Sequence, residues 1–246
     1  MPQSTLNIVL PIDNARNVDI QRRVAAAATG DVTNHGGPVL ANVQCTTVFL
    51  GDAWNQAPLS TMRDDFNAFL DDYLKSSEFA NLSVYGISAG SRLGTLTTSD
   101  TLGATVLDAD LQAIVQRLTA SGGQISANAN TLVFLFTPQG TLVDASAIGA
   151  GVTCTDHCGY HNFVGSVAYA VVPYLECSGC LGNGMTTEQS MTSVMSHELC
   201  EAVTDPMLNA WYSSSGEEIG DLCAWQETSV DGYTAQKEWI NGQGCV

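Results

Sequence analysis

The spacing of apolar residues along the chain predicts a small number of regular elements. Apolar side chains recur at helical spacing over residues 61–75 and 108–119, and acidic residues occupy the first turn of the former, where the helix dipole favours them. Short apolar or β-branched runs are typical of strands. Such runs predict strands at residues 6–10, 39–50, 82–85, 131–136 and 167–174.

A third and longer helix is predicted from Thr186 to Thr204. Thr186 or Thr187 can cap its first turn, and Gln189 stands close to the capping-box position. Pro206 disfavours helical geometry at the residue before it and so ends the element. After this helix, aromatic residues alternate with glycine-containing turns, which predicts a short antiparallel finish to the chain.

Helices and strands in this order favour a single domain over residues 1–246, of the α/β or α+β class, with a mixed sheet and flanking helices. The composition supports a core of that size, because 45% of the 246 residues are hydrophobic. The second half of the chain, from about residue 149, is rich in cysteine and is expected to be held by disulfides.

The strongly acidic net charge limits the kinds of molecule that the protein can bind. The chain has 25 acidic and 8 basic residues and a net charge of -17. A surface of this sign repels phosphate, so nucleic acid is excluded as a partner and anionic membranes are disfavoured. No apolar run approaches the roughly 18 residues of a membrane span, so no membrane insertion is expected. Residues 1–12 lack the pattern of a secretory signal, which leaves a mature form or an unconventional route of export.

The eight cysteines, six of them in the last hundred residues, indicate an oxidised protein. We expect four disulfides: two within residues 154–180, one joining Cys223 to Cys245, and one joining Cys200 to Cys45. The alternative is a zinc ribbon built from the two cysteine pairs of residues 154–180, whose spacings are close to those of structural zinc sites. The other four cysteines and the scarcity of Lys and Arg argue against it.

The third helix carries the sequence Ser196-His197-Glu198-Leu199-Cys200-Glu201. His197 and Glu201 are four residues apart, so they lie one turn apart on one face and can bind one metal ion. In zinc peptidases such a helix carries His, Glu, two spacers and a second His, and the Glu activates water. Here Glu201 replaces the second His, and zinc accepts a carboxylate oxygen. The pattern predicts a zincin-like active-site helix with Glu198 as the general base.

A catalytic zinc site takes a third protein ligand. The acidic stretch at residues 217–223 is the best source, because its acids lie 17 and 20 residues beyond Glu201, far enough for a loop to fold back over the helix. We expect Asp221 to be this ligand and keep Glu218 as the alternative. Asp205 shares the face of Glu201 but stands where the helix ends, so it could orient a ligand instead.

A solvated helix face does not account for these acids. The helix dipole disfavours acidic side chains near a helix C-terminus. Glu198, Glu201 and Asp205 all lie towards that end of the predicted helix. A bound cation would resolve the conflict, so the arrangement favours a metal site.

Several short motifs resemble a known family of extracellular proteins. They are His35-Gly36-Gly37-Pro38-Val39-Leu40, Cys154-Thr155-Asp156-His157-Cys158-Gly159-Tyr160-His161, Cys177-Ser178-Gly179-Cys180, Val203-Thr204-Asp205-Pro206 and the near-terminal Cys245. In this order they resemble the phosphate-induced, EXORDIUM-like proteins, above all the microbial branch that carries the His-Glu-x-x-Glu helix together with Gly220-Asp221-Leu222-Cys223. The resemblance implies a secreted, disulfide-bonded protein and supports pairing among the cysteines of residues 154–180.

A second catalytic pattern is Gly86-Ile87-Ser88-Ala89-Gly90, which fits a nucleophile elbow behind a predicted strand. The elbow requires a helix directly after the serine, and the Gly- and Thr-rich residues that follow predict none. We therefore interpret Ser88 as a turn residue; in a serine hydrolase its partners would be Asp144 and His161. His157 and His161 could instead reach the metal, although a structural role is favoured for both.

Together these features predict a secreted zinc metallohydrolase of the peptidase type, which binds one zinc ion and acts on a peptide or protein substrate. The alternative is a non-catalytic extracellular cell-wall or signalling protein, in which the same acids bind a structural ion such as calcium. His197 speaks against calcium, which prefers oxygen ligands. The sequence does not indicate the oligomeric state or the bond that is cleaved.

Overall fold

The computed structural model describes residues 9–11 and 31–246. The helices are α1 (Leu59–Tyr73), α2 (Ser77–Ala80), α3 (Asp108–Thr119) and α4 (Thr187–Thr204). The strands are β1 (Val9–Pro11), β2 (Thr33–Asn34), β3 (Asn42–Leu50), β4 (Ala89–Thr98), β5 (Thr105–Leu107), β6 (Thr131–Phe136), β7 (Leu142–Ala145), β8 (Gly151–Val152), β9 (His157–Val164), β10 (Val167–Val172), β11 (Trp211–Tyr212), β12 (Glu227–Val230), β13 (Tyr233–Gln236), β14 (Trp239–Ile240) and β15 (Gly244–Cys245).

The largest sheet has six strands in the order β1-β9-β10-β6-β3-β4. Strands β4, β3, β6 and β10 are parallel, and their connections include α1 and α3, as parallel pairing requires. β9 turns back and pairs antiparallel with β10. β1 then pairs antiparallel with the outer edge of β9. This arrangement confirms the predicted fold class, a mixed sheet with flanking helices.

Both faces of the sheet are buried, so its central strands are apolar on both sides. On one face Phe49 and Phe134 pack with α1 and α4. On the other face Val48 and Val133 pack with α3. Because side chains alternate along a strand, neighbouring residues of β3 and β6 supply the two halves of the core.

The helices begin and end near their predicted positions. The bounds of α3 agree with the prediction, and α1 begins two residues earlier, because Leu59 joins its buried face. For α4 the predicted capping box is confirmed: the Thr186 side chain accepts from Gln189 N–H, and the Gln189 side chain accepts from Thr186 N–H. The helix ends at Thr204, before Asp205 and the proline that follows it.

The strand predicted at residues 82–85 is wrong. Residues Asn81–Tyr85 form a 3-10 turn, which Gly86 ends in the left-handed region at a φ of 91°. Leu82 and Tyr85 are buried, whereas Val84 is 48% exposed. Burial at a spacing of three fits a 3-10 turn, and apolar content alone did not distinguish it from a strand. The strand predicted at residues 6–10 lies mostly outside the described residues; β1 contains its last two positions.

The cysteines confirm three of the four predicted disulfides. They join Cys154 to Cys177, Cys158 to Cys180 and Cys223 to Cys245, and they exclude a zinc ribbon because their sulfurs are not thiolates. The predicted bridge between Cys45 and Cys200 is wrong, since both are free and buried. The Cys200 sulfur instead lies 3.3 Å from the hydroxyl of Tyr73, so the side chain that it contacts belongs to α1 and not to the sheet strand that carries Cys45.

The C-terminal part forms the predicted antiparallel finish, with hairpins β12–β13 and β14–β15. The hairpin strand β13 packs on α4, which also contacts β9 and β10 of the large sheet. Every residue of α4 from Ser190 to Thr204 is therefore buried. Among the described helices, α4 included, none has the length and apolar character of a membrane span.

Candidate metal centre

Helix α4 places His197, Glu198 and Glu201 together in the interior. His197 and Glu201 are separated by one helical turn, and their Nε2 and Oε2 atoms lie 3.2 Å apart. Glu198 adds a carboxyl oxygen 4.0 Å from His197 Nε2. All three side chains are fully buried. The helical spacing thus brings the predicted ligands and the predicted base to one point.

The acidic loop before β12 supplies the next group of the cluster. Asp221 begins a short 3-10 turn that the Cys223–Cys245 disulfide holds, and its N–H donates to Glu201 Oε1 at 3.0 Å. His197, Glu201 and Asp221 each offer a ligand atom within 4.8 Å of the other two. The structure therefore brings together the three ligands predicted from sequence.

Strand β9 adds His161, for which the sequence favoured a structural role. His161 Nε2 lies 3.0 Å from Glu218 Oε2 and 3.7 Å from Glu201 Oε2. His161, Glu201 and Glu218 form a second set of three ligand atoms within 4.8 Å of one another. Glu201 belongs to both sets, so Glu218 is part of the cluster alongside Asp221.

Asp205, the remaining candidate, has a structural contact. It follows the last residue of α4, and its Oδ1 accepts the N–H groups of Asn209 and Ala210. It stabilises the turn after the helix and belongs to neither set of ligand atoms in the described part of the chain.

The cluster concentrates acidic groups away from solvent. Six buried carboxyl groups lie in and around it: Glu198, Glu201, Asp205, Glu218, Asp221 and Glu238. Burial raises the pKa values of Glu218, Asp221 and Glu238 well above their usual range, and neighbouring Glu201 adds to each shift. Burial raises the pKa of Asp205 to about 6. These groups must retain protons or share a cation.

His161 does not supply the balancing positive charge. Burial lowers the pKa of His161 to about 4, against the opposing effect of Glu201. A neutral imidazole is the form that binds a metal ion. The electrostatics of the cluster therefore suit a cation better than a protonated histidine.

The distances fit zinc. Zinc holds nitrogen and oxygen ligands at about 2.0–2.2 Å, so two ligands at the tetrahedral angle stand about 3.3–3.6 Å apart. Of the four contacts between imidazole nitrogens and carboxylate oxygens, three measure 3.0, 3.2 and 3.7 Å and bracket this range, and the fourth, from His197 to Glu198, measures 4.0 Å. His197 Nε2 and Glu201 Oε2 make no hydrogen bond within the described residues. Calcium fits less well, because it prefers six to eight oxygen ligands.

Gln236 of β13 holds the outer side of the His197 ring. Its Nε2 donates to His197 Nδ1 at 2.8 Å and to the Gly220 carbonyl at 2.9 Å, and its Oε1 accepts the Trp225 N–H at 3.3 Å. In this arrangement the ring proton lies on Nε2, facing Glu201. Metal binding at Nε2 requires that proton on Nδ1, so Gln236 must then turn its oxygen towards the ring.

Replacing Gly220 by Ala is expected to disturb the cluster directly. A Cβ there would lie 2.6 Å from His197 Nδ1 and 2.8 Å from Glu201 Oε1, although the backbone at Gly220 is compatible with alanine at a φ of -74°. We expect a loss of about 1–3 kcal/mol of stability and weaker zinc binding, measured by thermal unfolding and by zinc titration. Gly94→Ala is the control, because a Cβ there meets nothing within 4 Å. Equal effects of the two variants would contradict the geometry.

The raised pKa values predict that the metal-free protein loses stability as the pH rises. Between about pH 7 and pH 8 the buried His157 and His161, whose pKa values in the folded protein are lowered by burial to about 4, are mostly neutral in both states. Unfolded carboxyls have already lost their protons at about pH 4. Folded Glu218, Asp221 and Glu238 retain protons above that pH, so folding takes up protons and is opposed by rising pH. In chelator, the melting temperature should therefore fall from pH 7 to pH 8.

Bound zinc should remove or reverse the fall in melting temperature with rising pH. Metal binding displaces the protons of the buried carboxyl groups, so zinc binds more tightly as the pH rises. Differential scanning calorimetry with chelator and with zinc measures both slopes, at roughly 2–4 °C per kcal/mol for a protein of this size. A metal-free melting temperature that is constant or rises over this interval would contradict the proposed protonation of the cluster.

The rival catalytic pattern is not supported by the structure. Ser88 is followed by strand β4 rather than by the helix that a nucleophile elbow requires, which agrees with its interpretation as a turn residue. The side chain of Asp144 accepts the Ser146 N–H, so it serves a local turn. His157 is buried with its ring 5.3 Å from that of Tyr160, edge to face.

A search of protein-family models finds none that matches the chain. One segment of 45 residues is 49% identical to Protein EXORDIUM-like 5 of Arabidopsis thaliana. The match covers 17% of this chain and only 12% of that protein. This local similarity supports a relationship to EXORDIUM-like proteins, and with the three disulfides it is consistent with an extracellular protein.

Proposed function

We propose that this chain is a secreted zinc metallopeptidase whose centre is the buried cluster on α4, as in a microbial EXORDIUM-like branch with a zinc-peptidase-like helix. The observation that carries the proposal is the convergence of the His197 and His161 imidazoles on the Glu201 carboxylate. The contacts are 3.2 Å from His197 and 3.7 Å from His161. The arginine–aspartate salt bridges of the described residues use Asp64, Asp71 and Asp100, which lie outside the cluster.

In this proposal His197, Glu201 and Asp221 hold the zinc ion. The ion supplies a Lewis acid that polarises a carbonyl group and acidifies water. His161 and Glu218 lie beside this ligand set. His161 Nε2 is 3.7 Å from Glu201 Oε2 and 3.0 Å from Glu218 Oε2. Gln236 fixes the plane of the His197 ring from the outer side.

Glu198 is the proposed general base. It accepts a proton from the attacking water, whose oxygen bonds to the carbonyl carbon of the scissile peptide. Glu198 then donates this proton to the leaving amine as the carbon–nitrogen bond breaks, so the carboxylate is regenerated. Its position beside His197, at 4.0 Å, keeps the base next to the proposed ion.

Hydrolysis of a library of fluorescence-quenched peptides tests the proposal. We expect cleavage that a zinc chelator abolishes and added zinc restores. Calcium should not restore it, because the two imidazoles suit zinc. An absence of cleavage at all sequences, with zinc bound, would overturn the peptidase function.

A second function has one observation in its favour. The cluster is completely buried, with His161, His197 and Glu201 at 0% exposure, which suits a structural ion in a non-catalytic cell-wall or signalling protein. In that case metal removal should lower the melting temperature without any associated hydrolysis, which the same samples measure.

A further inference from the structure

The outer edge of β9 is occupied by the first described segment of the chain. β1 pairs antiparallel with β9, with Val9 opposite Tyr160 and Pro11 opposite His157. β9 is otherwise the last strand on that side of the sheet. β1 also contacts α4, so it lies along the junction between the strand and the helix of the candidate centre.

The stretch of β9 opposite β1 is next to the proposed catalytic groups. Gly159 stands between the two paired positions, and a Cβ there would lie 2.4 Å from Val194 Cγ1 and 2.9 Å from Glu198 Oε1. The bare backbone of β9 thus lies against the Glu198 carboxyl. Two residues further along the strand, His161 contacts Glu218.

A segment paired at this edge therefore runs past both the proposed base and the imidazoles. Neighbouring strands lie about 4.7–4.9 Å apart, so the backbone opposite Gly159 lies one strand spacing from the β9 backbone that contacts Glu198. Extended peptides bind exposed sheet edges through main-chain hydrogen bonds, which supply the affinity.

β1 pairs with β9 over a short and irregular stretch. The strand has only three residues, and its register is interrupted between Val9 and Pro11. Pro11 has no N–H to donate to the ladder. An incoming strand with all its N–H groups can make more hydrogen bonds to β9 than β1 does.

We propose that the β9 edge binds an extended peptide antiparallel to the strand, and that β1 holds this edge as an internal competitor. That the bound peptide is a substrate rests on the proposed peptidase function; the binding itself does not.

The first test uses the full-length chain with Val9→Pro and Leu10→Pro together. Because Pro11 has no N–H group, these two prolines remove the remaining N–H groups of β1, which is left without a donor to β9. The probe is a labelled synthetic peptide with the sequence of residues 5–14. Fluorescence anisotropy should show binding at least tenfold tighter to this variant than to the parent chain. The control carries prolines at Gln3 and Ser4, outside β1, and should bind like the parent.

A second variant changes the competition in the opposite direction and does not threaten the fold. Pro11→Val gives β1 one more N–H group and a residue that favours strands, so it should weaken binding of the probe. A probe with prolines at the positions of Val9 and Leu10 should bind none of the chains. Equal binding of the probe to the parent and to both variants would overturn the proposal.

Hydrolysis of the quenched peptides, measured on the same samples, separates the two proposals. Stronger probe binding without hydrolysis by any zinc-loaded chain would leave a peptide-binding edge and overturn the peptidase function. Equal hydrolysis by all chains with unchanged probe binding would retain the peptidase function and overturn the role of β1.

Discussion

Replacing Glu198 by Gln is expected to lower peptide hydrolysis by about 10²–10⁴-fold, the usual contribution of a general base, while zinc remains bound. Glutamine has almost the same shape and can occupy the same buried position beside Gly159, but it cannot accept a proton from water. Turnover of the best library peptide and zinc content by elemental analysis are measured on the same preparation.

The control for this substitution is Glu188→Gln, the same exchange in the first turn of α4. It should leave both turnover and zinc content close to those of the parent. Loss of zinc together with activity in Glu198→Gln would show that Glu198 is a ligand, and an unchanged rate would show that the base is another group.

Replacing His197 by Ala is expected to reduce bound zinc from about one equivalent per chain to background, because the site loses the nitrogen ligand that its helix supplies. The protein is purified without chelator and without added metal salts, and its metals are measured by elemental analysis. His35→Ala is the matched control, since His35 is exposed and stacks on Tyr212 with ring centroids 3.7 Å apart.

His161→Ala distinguishes the two sets of ligand atoms that share Glu201. If zinc is held by His197, Glu201 and Asp221, this variant keeps its metal. If zinc is lost in His161→Ala and retained in His197→Ala, the ion belongs to the set with Glu218. Calcium alone in the parent chain would contradict a zinc centre altogether.

Local sequence patterns predicted those parts of the molecule that depend on neighbouring residues. The helix over residues 108–119 and the capping box at Thr186 follow from periodicity and from side-chain chemistry within one turn. His197 and Glu201 were found for the same reason, because four residues on a helix define a direction. The two disulfides within residues 154–180 were predicted because four cysteines lie close together in that stretch of sequence.

The remaining features depend on contacts between distant segments. His161 joins the cluster because β9 packs beside α4, and no spacing in the sequence relates it to His197. The prediction of a Cys45–Cys200 disulfide was wrong for a similar reason. Helix geometry predicts the direction in which Cys200 points, but not that the Tyr73 hydroxyl lies there. Occupation of the β9 edge by β1 likewise depends on sheet pairing over about 150 residues.

The two cysteines without a disulfide, Cys45 and Cys200, make the rate of transient unfolding measurable by alkylation. Burial raises the pKa of Cys45 to about 12 and that of Cys200 well above its usual range, and both side chains are inaccessible. Alkylating reagents attack thiolates, so they modify these sulfurs only in molecules that have transiently unfolded. Cys200 lies on the same helix as His197 and Glu201. The difference in its alkylation rate with and without zinc therefore measures how much zinc binding stabilises that helix, and the measurement needs no substrate.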